Sequence, residues 1–201
     1  MRIMLFCLVT VAFFSCRKEC NTIIRPGVID SATAVWFMDS VTNDFIFKSA
    51  DDTSFSQPLT INASRTGWQY PEGGTDCKDL FMTSYELTGF TIGSNKFTHS
   101  TEQNSLNGPR VKIDFNGNTL AFFPNKITDS YQYNVSDTET VWCSYQRYDS
   151  VQISTHWYKP VYWINAVVPA EPVGINVQLF VTPHRGVIKY VQDTLTMELV
   201  R

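Results

Sequence analysis

The chain has 201 residues, enough for one domain that buries its own core and not comfortably enough for two. Apolar residues make up 43% and aromatics 14%, which excludes wholesale disorder and leans towards pleated sheet, where Phe, Tyr and Trp pack well. The formal charge is −3 and Lys and Arg are not clustered, so nucleic acid has no electrostatic footprint here, nor is there a polybasic patch for anionic lipid.

Met1-Arg2 gives a short positive start to an apolar run over residues 3–14 (IMLFCLVTVAFF). A spanning helix needs ~20 residues, so the run matches the apolar stretch of a secretory signal. It ends Phe13-Phe14-Ser15-Cys16, a small residue directly before Cys. This resembles the lipobox of bacterial lipoproteins, in which the Cys thiol receives a diacylglycerol and the chain is cut before it. The resemblance implies a signal peptide over 1–15, lipidation at Cys16, and a bacterial envelope protein held to the outer membrane by acyl chains. Phe13 and Phe14 depart from the commoner Leu and Ala or Ser. The rival readings are a plain signal cut and an uncleaved anchor, and the short run disfavours the second. Acyl chains anchor at ~0.8 kcal/mol per buried CH2, so the membrane is a partner without a transmembrane helix. Arg17-Lys18-Glu19 is similar to the tether signals that send some lipoproteins to the cell surface, and equally reads as a solvated linker.

Residues 16–29 read as lipidated Cys plus tether, with a turn at Pro26-Gly27, and residues 30–201 as a single β-rich domain. Strand-like runs recur at 34–38 (AVWFM), 45–48, 59–63 and 80–92, while 65–79, with Gly67, Pro71, Gly73 and Gly74, reads as irregular. The clearest local signal is 110–124. Val111, Ile113 and Phe115 alternate with Lys112 and Asp114, Asn116-Gly117 supplies a tight turn, and 120–123 returns. Further strands are expected at 131–135, 140–148, 151–157, 161–168, 175–182, 186–191 and 194–200. No stretch shows clean helical periodicity. The pattern predicts an all-β fold, a β-sandwich or curved barrel-like antiparallel sheet of about ten strands. Residues 178–190 (QLFVTPHRGVIKY) are similar to a closing hairpin of exported β-rich lipoproteins, which implies a periplasmic or surface β-domain and carries no catalytic residue across.

Chemistry is sparse. With Cys16 lipidated, Cys20, Cys77 and Cys143 remain, and an exported compartment permits a disulfide among them. Cys20 with Cys77 is the favoured pair, since it would pin the tether to the irregular stretch; Cys143, in a strand, reads as a small buried hydrophobe. No Cys-x-x-Cys or His-x-x-x-His spacing exists, so no metal and no cofactor is expected. His99 reads as a polar turn residue, His156 as part of an aromatic strand and His184 as the start of a turn. Cys143 and His156 are the only pair that suggests an envelope hydrolase or thiol enzyme, the alternative to a binding role. No Gly-x-Ser-x-Gly elbow, phosphate-binding loop or dinucleotide fingerprint is present.

The strongest cluster is aromatic: Trp142, Tyr145, Tyr148, Trp157, Tyr158, Tyr162 and Trp163. On one exposed face they would stack against sugar rings or grip a protein; alternating into a core they would do neither. Pro160 cannot donate to a ladder and marks a bend or edge, so Trp157, Tyr158, Tyr162 and Trp163 are the binding candidates. Asp-Ser/Thr-apolar triplets place Ser31, Ser40, Ser150 and Thr194 in sites that resemble an O-glycosylation acceptor of some Gram-negative bacteria; Asp-Ser and Asp-Thr are also ordinary turn formers. The expected function is a non-enzymatic binding or accessory module with a glycan or envelope protein as partner.

Overall fold

Alternation of apolar and polar side chains carries most of the chain into strands. The computed structural model describes residues 24–26, 31–38, 41–52, 54–69, 80–104, 108–134, 140–168 and 175–200. The first half holds β1 (Ile24–Pro26), a four-residue helix α1 (Ser31–Ala34), β2 (Ile46–Ser49), β3 (Ser56–Gln69), β4 (Leu80–Ile92), β5 (Asn95–Asn104), β6 (Gly108–Phe115) and β7 (Asn118–Phe122). The second half holds β8 (Thr128–Asn134), β9 (Thr140–Tyr148), β10 (Val151–Ile153), β11 (His156–Tyr158), β12 (Val161–Val168), β13 (Ile175–Thr182), β14 (Gly186–Gln192) and β15 (Leu195–Leu199).

Twelve strands follow one another in a single path, β7-β6-β5-β4-β3-β2-β15-β14-β13-β12-β9-β8. Every neighbouring pair on it is antiparallel, and β1 adds to β4 in parallel. The path curls until its two ends, β7 and β8, are joined only by residues 123–127, which makes a nearly closed, barrel-like sheet. The corner between its halves is β3. Residues 56–58 of β3 pair with β2, and residues 59–69 pair with β4. A register shift between Ile61 and Ala63 bends the strand there, and the Ile61 amide bonds the Asn43 side chain at 2.7 Å.

Two aromatic clusters fill the space between the halves. Phe90 stacks on Phe97 at 5.1 Å, and Phe97 meets Phe115 at 5.1 Å and Tyr190 at 5.6 Å. In the second cluster Trp36 meets Phe122 edge-on at 5.2 Å and Tyr162 at 5.5 Å, while Phe122 stacks on Tyr162 at 4.7 Å. Trp36 belongs to the segment after α1, which plugs this end of the fold and is bonded to both halves. Thr101 Oγ1 donates to the Trp36 carbonyl at 3.1 Å from one side, and the His184 amide donates to the Val35 carbonyl at 2.9 Å from the other.

The all-β, antiparallel, curved architecture agrees with the sequence pattern, and the β6–β7 hairpin turns at Asn116 and Gly117, both at positive φ (48° and 90°). Four local expectations are corrected. Residues 34–38 are not a strand: Trp36 and Phe37 amides bond the carbonyls of Thr33 and Ala34, and the run is apolar because it is a plug buried among strands. The stretch from residue 65 is not irregular at its start, since β3 continues to Gln69 despite Gly67. The 151–157 run is two strands, β10 and β11, folded back at Ser154-Thr155. His99 is no turn residue but lies on β5, wholly buried. The described residues form fifteen strands against the expected ten or so, with β1 and β5 among those that match no expected run.

Candidate functional site

Strand parity decides which aromatics are available. On β12, Tyr162, Ile164 and Ala166 are buried while Trp163, Asn165 and Val167 face outward. The neighbours keep the same phase. Cys143 and Tyr145 of β9 point inward, with Trp142, Ser144, Gln146 and Tyr148 outward; Val177, Leu179 and Val181 of β13 point inward, with Asn176, Gln178 and Phe180 outward. In register, Trp142 lies opposite Val167, and Trp163 lies between Gln146 and Phe180.

The result is one sheet face that carries aromatics, amides and hydroxyls and no charged side chain at its outward positions on β9, β12 and β13. Trp142 is 64% exposed with Val167 exposed beside it, and Tyr148 is exposed at the far end of β9. Trp163 is half-buried, and its indole Nε1 donates to Gln178 Oε1 at 3.2 Å, which fixes the ring on the sheet. Asn165 Oδ1 is buried without a hydrogen-bond partner between these rings. Trp142 and Tyr148 stand six residues apart on β9, so the band is ~20 Å long at ~3.4 Å per residue.

The candidates from the sequence divide accordingly. Trp157 is 65% exposed on β11, and Trp163 joins the outer face. Tyr158 and Tyr162 are corrected to core residues, 8% and 1% exposed; their rings pack in the interior and present no stacking surface. Proline at 160 does separate β11 from β12, but alternation on either side of it turns one aromatic of each pair inward. Trp142 went unselected because nothing in the sequence tells the outward phase of β9 from the inward one. Ser31, Ser150 and Thr194 are exposed. Cys16, Cys20, Cys77 and Ser40 lie outside the described residues.

The structure does not bring Cys143 and His156 together. Cys143 is buried on the inner face of β9 opposite Ala166, whereas His156 is exposed on the separate β10–β11 hairpin beside Thr155. Among the described residues no group of three His, Cys, Asp or Glu is placed to hold a metal ion.

A second polar group sits inside the fold. Glu86 and Thr88 of β4 and His99 and Thr101 of β5 are all buried. Both carboxylate oxygens of Glu86 accept from the Met38 amide at 2.9 Å, and Thr88 Oγ1 donates to it at 3.2 Å, so Glu86 holds the end of the plug. His99 Nδ1 lies 3.8 Å from Glu86, yet neither ring nitrogen makes a hydrogen bond. Burial pushes the His99 pKa down from 6.5 to about 3, so the ring is neutral near pH 7 and the contact is not an ion pair there.

No family model, curated protein or solved structure matches the chain.

Proposed function

We propose that this protein is a lipid-anchored module of the bacterial envelope, not an enzyme, that binds a neutral glycan chain along the outer face of β9, β12 and β13. The observation that supports this most is the composition of that face: Trp142, Trp163 and Tyr148 spaced along ~20 Å, with Ser144, Gln146, Asn165 and Gln178 between them, no charged residue at the outward positions of the three strands, and Lys189 of β14, at the edge over Phe180, paired with Glu198. Indole and phenol rings offer flat apolar surface to the C–H faces of sugars, and uncharged amides pair with hydroxyls at little desolvation cost. A face selected for a protein partner would more often carry Arg among its aromatics. The envelope location rests on the Ser15-Cys16 signal alone, and exposed Ser31, Ser150 and Thr194 are consistent with O-glycosylation of the same exported chain.

Screening the domain against immobilised neutral and acidic polysaccharides tests the reading. Binding is expected to one or more neutral polymers and to be retained in about 0.5 M salt, where charge-driven contacts are screened. Binding only to acidic polymers, lost with salt, would contradict it.

A further inference from the structure

A second site lies beside the segment that links β7 to β8. A cleft of about 520 Å³ opens there, within the ~300–1,000 Å³ typical of small-ligand sites. Only the edges of Trp36 and Tyr162, 4% and 1% exposed, reach its floor, and the accessible apolar lining comes from Val35, Pro124, Pro160 and Pro183. Tyr162 is held by its hydroxyl, which donates to the Pro124 carbonyl, and Trp36 is wedged edge-on against it. Pro124 and Pro160 stand in the walls, rigid side chains that lose little entropy when a ligand is clamped. Among the described residues, the only formally charged ones lining the cleft are Arg147 and Lys159, and no carboxylate lines it. Arg147 has one weak counter-charge, Asp149 at 3.9 Å, whose carboxylate is fully exposed. Lys159 makes no ion pair among the described residues and is exposed.

We infer that this cleft binds a small organic oxyanion on a compact apolar body, with that body between Val35, Pro124, Pro160 and Pro183 and the anionic group towards Arg147 and Lys159. Apolar walls alone would take any hydrophobe. Two cations, of which only Arg147 has a counter-charge and that one solvated, make the cleft's field positive, and a guanidinium and an ammonium lining one cleft suit an oxyanion of more than one oxygen. A carboxylate, a sulfate ester and a phosphate ester share that chemistry. The site is distinct from the outer face: Arg147 and Tyr148 are adjacent on β9 and so have opposite parity.

Calorimetric titration with 2-naphthoate, 2-naphthyl sulfate, 2-naphthyl phosphate and the uncharged 2-naphthylmethanol tests the inference and separates the three anion sources. At least one anion is expected to bind tenfold or more tightly than the alcohol, with affinity that falls as salt is added. Arg147→Gln with Lys159→Gln should erase that preference while leaving the alcohol unchanged. Ala32→Trp, at the cleft's rim, should weaken all ligands tenfold, whereas Trp142→Ala should alter none, which keeps this result independent of the glycan face. The inference is overturned if the alcohol binds as tightly as every anion, if the double variant keeps the preference, or if none of the four binds at millimolar concentration. Should the double variant fold poorly, the salt dependence of wild-type binding decides: an anion affinity indifferent to salt overturns it equally.

Discussion

At the scale of single residues, the sharpest contrast is between side chains that look alike in the sequence and have opposite fates. Trp142 and Tyr162 both belong to the dense aromatic stretch, but one is 64% exposed and the other 1%. Trp142→Ala should therefore leave thermal stability nearly unchanged, and Tyr162→Ala should cost ~3–5 kcal/mol, as large core truncations do. Paired melts read this directly, and a similar loss in both would mean that the outward phase of β9 is wrong. His99 supplies a pH dependence. Its folded pKa of about 3 lies below its ordinary 6.5, so between those values the unfolded chain binds a proton that the folded chain refuses. Its contribution is intact above about pH 6.5 and is lost as pH falls towards 3. His99→Leu should flatten that part of the slope. Urea midpoints at pH 7.5, 5.5 and 4.5 that fall equally in wild type and variant would show that the ring is not the group responsible.

At the scale of elements, much was legible and the failures have physical causes. The β6–β7 hairpin could be read because Val111, Ile113 and Phe115 alternate strictly and Asn116-Gly117 tolerates positive φ. β5 could not, since its inward positions are Phe97, His99 and Thr101, and two polar residues among three hide the alternation. Residues 34–38 misled for the reverse reason: a short run buried on all sides has no amphipathic period, and it reads alike as central strand or plug. The outer face was half visible, Trp163 identified and Trp142 not. The cleft was invisible, because Trp36, Arg147 and Lys159 come from three separated segments. The plug makes its own prediction. Gly186 sits at φ +65°, and a Cβ there would stand 2.8 Å from the end of the Met38 side chain. Gly186→Ala should cost ~1–3 kcal/mol through a strained backbone and a displaced Met38. A change indistinguishable from zero by denaturant unfolding would mean that the turn and plug are not held as described.

At the scale of the whole molecule, the nearly closed sheet keeps the proposed binding surface and the core apart. Inward side chains make two aromatic clusters that hold the curved halves together, and on the outward face of β9, β12 and β13 only Phe180 packs against the core. A binding surface can then carry exposed indoles on a rigid sheet, where the rings lose little freedom when a ligand lies across them. The proposed anchor fits such a role, since a module held at the membrane meets extended polymers at high local concentration. Cys16→Ser should move the full-length protein from the detergent phase to the soluble fraction, and unchanged partitioning would remove lipidation from the account. The central claim is the glycan face, and isothermal titration of its preferred neutral oligosaccharide into wild type and Trp142→Ala/Trp163→Ala tests it most directly. The account predicts at least a thirtyfold loss of affinity in the double variant, roughly 2 kcal/mol, with far-ultraviolet circular dichroism unchanged. Affinity within threefold of wild type in a folded double variant would contradict it.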